Sequence, residues 1–136
     1  RFAYGFDQNG GPDEAEVRLT VTDKFADDWE WRANLIAEME TGNGSEGGVE
    51  LEGRAQISRA LNISALGTDD WRLGIEYFAE LGNTRDIPGL SDQAHQIGPV
   101  VKIGWTGGYF IQSAVRFGIT EGADDAMAKL FVGREF

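Results

Sequence analysis

His95 is the single histidine in the chain, and Ser91, Asp92 and Asp86 lie just upstream of it. Those are the residue types of a nucleophilic relay. A Ser–His–Asp triad is defined by geometry rather than by sequence nearness, so the expected role of His95 is hydrogen bonding at a loop. Asp27-Asp28, Asp69-Asp70 and Asp124-Asp125 offer the hard oxygen ligands that calcium prefers. None has the spacing of a twelve-residue calcium loop, and aspartate is an ordinary turn residue. The glycine-rich run 42–48 lacks the lysine and the following helix of a phosphate-binding loop. There is no cysteine, which excludes disulfides and thiolate metal sites. No catalytic, cofactor or metal residue is assigned, and the chain is expected not to be an enzyme.

The remaining chemistry is charge arranged in rows. Arg18, Arg32, Arg54, Arg72, Lys102 and Arg116 alternate with neighbours in the same way as Glu30, Glu38, Glu50, Glu52, Glu76 and Glu80. In an extended chain, residues of one parity share one face. These twelve are therefore expected to form an interior network of paired charges, with arginines bonded to glutamates of neighbouring strands. Buried charges are tolerated only when paired.

The elements that must position them follow from the same alternation. Period-2 patterning recurs near 2–7, 15–25, 29–40, 49–61, 71–82, 95–105, 109–120 and 127–136, with Gly, Asn and Asp between the segments. The segment 29–40 sets Trp29, Trp31, Ala33, Leu35, Ala37 and Met39 against Glu30, Arg32, Asn34, Ile36, Glu38 and Glu40. Pro99 falls inside a strand, where it cannot donate to the ladder, so a bulge or a local break is expected there. The fold class is all-β: an antiparallel up-and-down barrel of eight strands in a single domain over 1–136, or the C-terminal part of a larger barrel.

Alternation does not say which face points inward. Strands of about eleven residues, tilted near 45°, cover roughly the 25 Å apolar band of an outer membrane. On an up-and-down count, Trp29, Trp31, Trp71, Trp105, Tyr109 and Phe136 fall toward one rim, as a membrane-interface girdle would. The reading is therefore a transmembrane barrel. The absence of any long apolar run bears only on helical spans. A net charge of −11 argues against nucleic acid. The chain starts at Arg1 rather than Met and is taken as a processed or trimmed product.

Four segments add a likeness: Leu73-Gly74-Ile75-Glu76-Tyr77-Phe78, Gln93-Ala94-His95-Gln96-Ile97-Gly98-Pro99-Val100, Phe117-Gly118-Ile119-Thr120 and Phe131-Val132-Gly133-Arg134-Glu135-Phe136. With them the chain resembles a widespread group of proteobacterial outer-membrane barrel proteins. That group carries no established active site to transfer. The resemblance implies a porin-like membrane protein of the Gram-negative cell envelope. Its expected localisation is the bacterial outer membrane, and its partners outer-membrane lipid and another envelope protein. The expected function is a structural or partner-binding barrel plugged by salt bridges. The alternatives are part of a larger diffusion pore, a soluble lipocalin-like binder of an apolar ligand, or a rim hydrolase using His95.

Overall fold

The structure, a computed structural model, describes residues 2–5, 13–42, 45 and 47–134. It contains eight strands: β1 (Phe2–Gly5), β2 (Asp13–Phe25), β3 (Trp29–Thr41), β4 (Glu50–Leu61), β5 (Asp70–Asn83), β6 (Ala94–Gly104), β7 (Tyr109–Gly118) and β8 (Ala126–Arg134). They form one sheet in sequence order, each strand antiparallel to its neighbours. β-Branched and aromatic residues on alternate positions suit a pleated two-faced surface, and the breaks carry the turn residues. In the Trp105–Gly108 turn, Gly107 sits at φ 87° and Gly108 at φ 78°. A Cβ is disfavoured at both, which is why the shortest turn of the second half carries two glycines.

The sheet curls through 212° and stops, leaving its two edges 17 Å apart. β1 pairs only with β2, and β8 only with β7. The expected closed transmembrane barrel is therefore not formed. The reason is the backbone: an open edge carries N–H and C=O groups without ladder partners, and a hydrocarbon layer does not tolerate them. The outer-membrane localisation, the porin-like envelope role and the lipid and envelope-protein partners all followed from closure, and they fall with it. The salt-bridged plug of a barrel lumen becomes a charged lining of an open trough.

Contacts between strands that are not neighbours tell which face is concave. Lys129 on β8 reaches Glu76 on β5, and Gln112 on β7 reaches Gln56 on β4. Only side chains pointing into a hollow meet across two intervening strands. The polar face is thus concave, and the apolar face is convex and open. Leu19, Leu35, Leu73, Ile75, Phe117 and Val132 are all exposed there. Inside, a small apolar core of Ile36, Phe78, Val100 and Ala114 interrupts the charges.

Pro99 breaks the ladder as expected, but without a bulge. β6 and β7 pair at Gln96↔Gly118 and Ile97↔Phe117, then resume in the same register at Val100↔Ala114. Gly98 fills the break, and a Cβ built there would sit on the Val115 carbonyl oxygen. Gly98→Ala is expected to lower the thermal midpoint, at a cost of about 1–3 kcal/mol for overpacking against backbone. Gly53→Ala, where a Cβ meets nothing within 4 Å, is the control and is expected to leave the midpoint unchanged or slightly raised. Paired thermal melts measure both.

Candidate functional site

The hollow is organised by Glu76 of β5. Lys129 Nζ donates to both its carboxylate oxygens, at 2.6 and 2.7 Å. Arg116 Nε of β7 lies 3.9 Å from Oε1. The guanidinium of Arg116 also rests over the Phe78 ring at 4.3 Å, with Arg54 over the same ring at 5.1 Å. A cation on an aromatic face gains from the ring quadrupole, most when water is excluded. Glu76 and Arg116 side chains are each 6% exposed, so this pair is buried charge. Burial pulls the Arg116 pKa below the usual arginine value. Glu76 opposes that shift, and nearby Arg54 adds to it. Gly98 stands opposite Glu76 on the intervening strand, where a Cβ would meet the backbone of Val115 and Arg116 on β7.

The other expected charges lie along the same face, with different partners. Arg18 pairs with Glu16 at 2.9 Å, Arg32 with Glu30 at 3.6 Å, and Arg54 with Glu52 at 2.8 Å. Each pair is two residues apart on one strand, not across strands as expected, because residues i and i+2 share a face. Arg72 donates to Ser58 and to the Asp28 carbonyl oxygen rather than to a glutamate. Lys102 lies 4.5 Å from the centre of the Phe110 ring. Glu50 accepts from Asn83. Glu38, Glu50, Glu52 and Glu80 line a recess of about 350 Å³ at the end of the trough, joined by Asp92 and Gln93. Burial raises the Glu38 pKa, and Glu14, Glu52, Glu16 and Glu40 push it further up. No three metal-ligating side chains converge among the described residues.

The convex face carries two adjoining apolar troughs. One, of about 250 Å³, is lined by Trp31, Ala55, Ile57, Ile75 and Tyr77. The other, of about 230 Å³, is lined by Leu73, Pro99, Val101, Ser113 and Val115. Leu73 and Ile75 of β5 form the ridge between them, facing Val101 and Pro99 of β6. The floors are low because Ala55 and Ser113 stand where larger side chains flank them.

The expected aromatic girdle is divided. Trp31 lines a trough, and Trp29 stacks near Phe25 with Arg59 over its ring. Trp71 and Trp105 turn their indole N–H groups onto the loop between β4 and β5, donating to the carbonyl oxygens of Ala65 and Leu66. Tyr109 is exposed beneath the Arg134 guanidinium. Phe136 lies outside the described residues. His95 is buried on the convex side, its Nδ1 2.5 Å from the Tyr77 hydroxyl and its Nε2 3.1 Å from Gln93 Oε1. Both ring nitrogens are thereby engaged by groups other than Ser91, Asp86 and Asp92.

Sequence reasoning missed Phe78 as the platform for two cations. The signal for Phe78 was present: a large aromatic on the charged face, two residues from both Glu76 and Glu80. It also missed the troughs, since the convex face was assigned to lipid.

Glu76→Leu is expected to destabilise the fold by about 3–5 kcal/mol, because it strands a buried guanidinium. Glu76→Leu combined with Arg116→Met should recover much of that loss, as a denaturant double-mutant cycle would show. Arg54→Leu should cost far less, its side chain being 33% exposed. A second expectation concerns Glu38. With its folded pKa raised above the unfolded one, the native chain binds the extra proton. Stability from this group therefore falls as pH rises through the window above the ordinary carboxylate value. Glu38→Gln should raise the melting midpoint at pH 7, and the advantage should vanish once pH drops below that window.

The chain was compared with family models, curated proteins and solved structures, and no match was found. The expected likeness to a proteobacterial outer-membrane family is overturned by this result together with the open sheet. Its segments fall on β5, β6, β7 and β8, where alternation with an interspersed glycine is a pattern that any two-faced strand produces.

Proposed function

We propose that the chain is a ligand-binding domain that takes an apolar, neutral or cationic molecule on its convex face. The observation that carries this reading is the pair of adjoining troughs either side of Leu73 and Ile75. Contiguous exposed apolar surface marks interaction sites, and binding clefts combine apolar walls with a few polar groups. Here the polar handle is the Tyr77 hydroxyl, held by His95 at the end of one trough. A lipocalin-like binder would hold its ligand inside the curl. In this chain the inside is charged, so the apolar ligand belongs outside. The net charge of −11 disfavours an anionic ligand.

N-Phenyl-1-naphthylamine is a neutral apolar fluorophore that brightens when it leaves water. Its titration should be saturable and accompanied by energy transfer from Trp31. Ile57→Asp with Ile75→Asp should weaken binding by roughly tenfold or more, given about 1.5–3 kcal/mol for each large apolar contact. Gln112→Ala, which faces the hollow and lines neither trough, should leave it unchanged. Equal loss with both variants, or no saturable signal, would sink the reading.

A further inference from the structure

We infer that a relay of Tyr77, His95 and Gln93 fixes the Tyr77 hydroxyl as a hydrogen-bond acceptor, so that the ligand of the convex face carries a primary ammonium head on an apolar tail. This rests on the proposed binding at the troughs and names the head group that the same site takes. Tyr77 is half-buried on the wall of the trough it shares with Trp31 and Ile57. Behind it two polar side chains lie out of water, His95 at 9% and Gln93 at 7% exposure. Burying polar groups costs free energy unless they are hydrogen-bonded, so each bond in the row has a donor and an acceptor to be identified.

The direction follows from the far end. Gln93 Nε2 donates to the Pro88 carbonyl oxygen at 3.1 Å, which fixes the orientation of the amide. Gln93 then presents Oε1, an acceptor, to His95 Nε2 at 3.1 Å. In the neutral imidazole Nε2 therefore carries the proton, and Nδ1 is left with a lone pair. The Tyr77 hydroxyl, 2.5 Å from Nδ1, is the donor of that bond. Its one proton is thereby directed at the ring, and toward the trough the phenol oxygen only accepts.

The relay is held from several sides. Thr120, between β7 and β8, donates its hydroxyl to the Gln93 carbonyl oxygen at 2.6 Å and accepts from the His95 N–H at 2.9 Å. The His95 carbonyl oxygen accepts from Ile119 N, and Gln93 N donates to the Gly89 carbonyl oxygen. The Tyr77 ring stacks on the imidazole with centroids 5.9 Å apart. A handle held this way selects by polarity, because a site built to hydrogen-bond one group rejects an analogue lacking it. An ether or a quaternary ammonium head has no proton to give. A carboxylate sets lone pairs against lone pairs and adds negative charge to a chain of net −11. A primary ammonium donates without accepting, and its bond to the phenol oxygen is strengthened by its charge.

The test uses the full chain, with decylamine and decyltrimethylammonium as probes, each displacing N-phenyl-1-naphthylamine below its micelle-forming concentration. The two heads share charge and tail and differ in N–H donors. The preference for decylamine should fall roughly tenfold in Tyr77→Phe, through weaker decylamine binding. The bulk of the quaternary head acts on both chains alike, so the change in ratio isolates the hydroxyl. A second measurement needs no variant. His95 is the single histidine, so nitrogen-15 NMR of histidine rings reports on it alone. It should show a protonated Nε2 and a bare Nδ1. Saturable naphthylamine binding with the same ratio in both chains overturns the inference and leaves trough binding standing. A ring protonated at Nδ1 does the same. Absence of saturable naphthylamine binding to the wild-type chain removes both.

Discussion

Glu76 holds together strands that the backbone ladder does not join. Its carboxylate is shared by Lys129 of β8 and Arg116 of β7, while it stands on β5. A buried carboxylate costs several kcal/mol in desolvation and is tolerated only when its partners are well placed. The placement of those partners then constrains much else. Phe78, two residues along β5, supports Arg116 and Arg54 over its ring, and Gly98 opposite Glu76 keeps β6 clear of the Val115 backbone. The curl of the second half of the sheet follows from drawing β8 toward β5. In the first half the ion pairs of Arg18 with Glu16 and of Arg32 with Glu30 run along single strands, and Arg59 of β4 reaches Asp28 in the β2–β3 turn.

Strand positions were legible in the sequence almost throughout. Period-2 alternation with glycine and aspartate breaks located β3, β4, β5, β6 and β7 to within a residue or two. The charged face was legible too, because parity alone assigns it. Closure was not. Whether strands form a ring depends on their number, tilt and shear, and none of these leaves a mark on alternation. The same alternation serves an open sheet with its apolar side bare.

The candidate site was only half legible for a related reason. Parity assigns each residue a face, yet the partners depended on curvature. Arg32 and Arg54 found glutamates two residues away, whereas Arg116 found one two strands away. The troughs required knowing that Ala55 stands between Ala33 and Tyr77, with Ile57 beside Trp31, which is a matter of register. The role of His95 was set by Tyr77, a neighbour in space from a different strand.

The meander order of the sheet also governs how the chain reaches its shape. Every ladder joins consecutive segments, and the connection from β2 to β3 spans only Ala26–Asp28. Short loops lose little entropy on closing, so the sheet is able to assemble hairpin by hairpin without first bringing distant parts of the chain together. The Glu76 contacts are among the exceptions, Lys129 lying 53 positions from Glu76. They form only after β6 and β7 are laid down between them. The curl is therefore the final event of assembly, and a chain caught before it would be a flatter ribbon with the same hydrogen-bonded ladders.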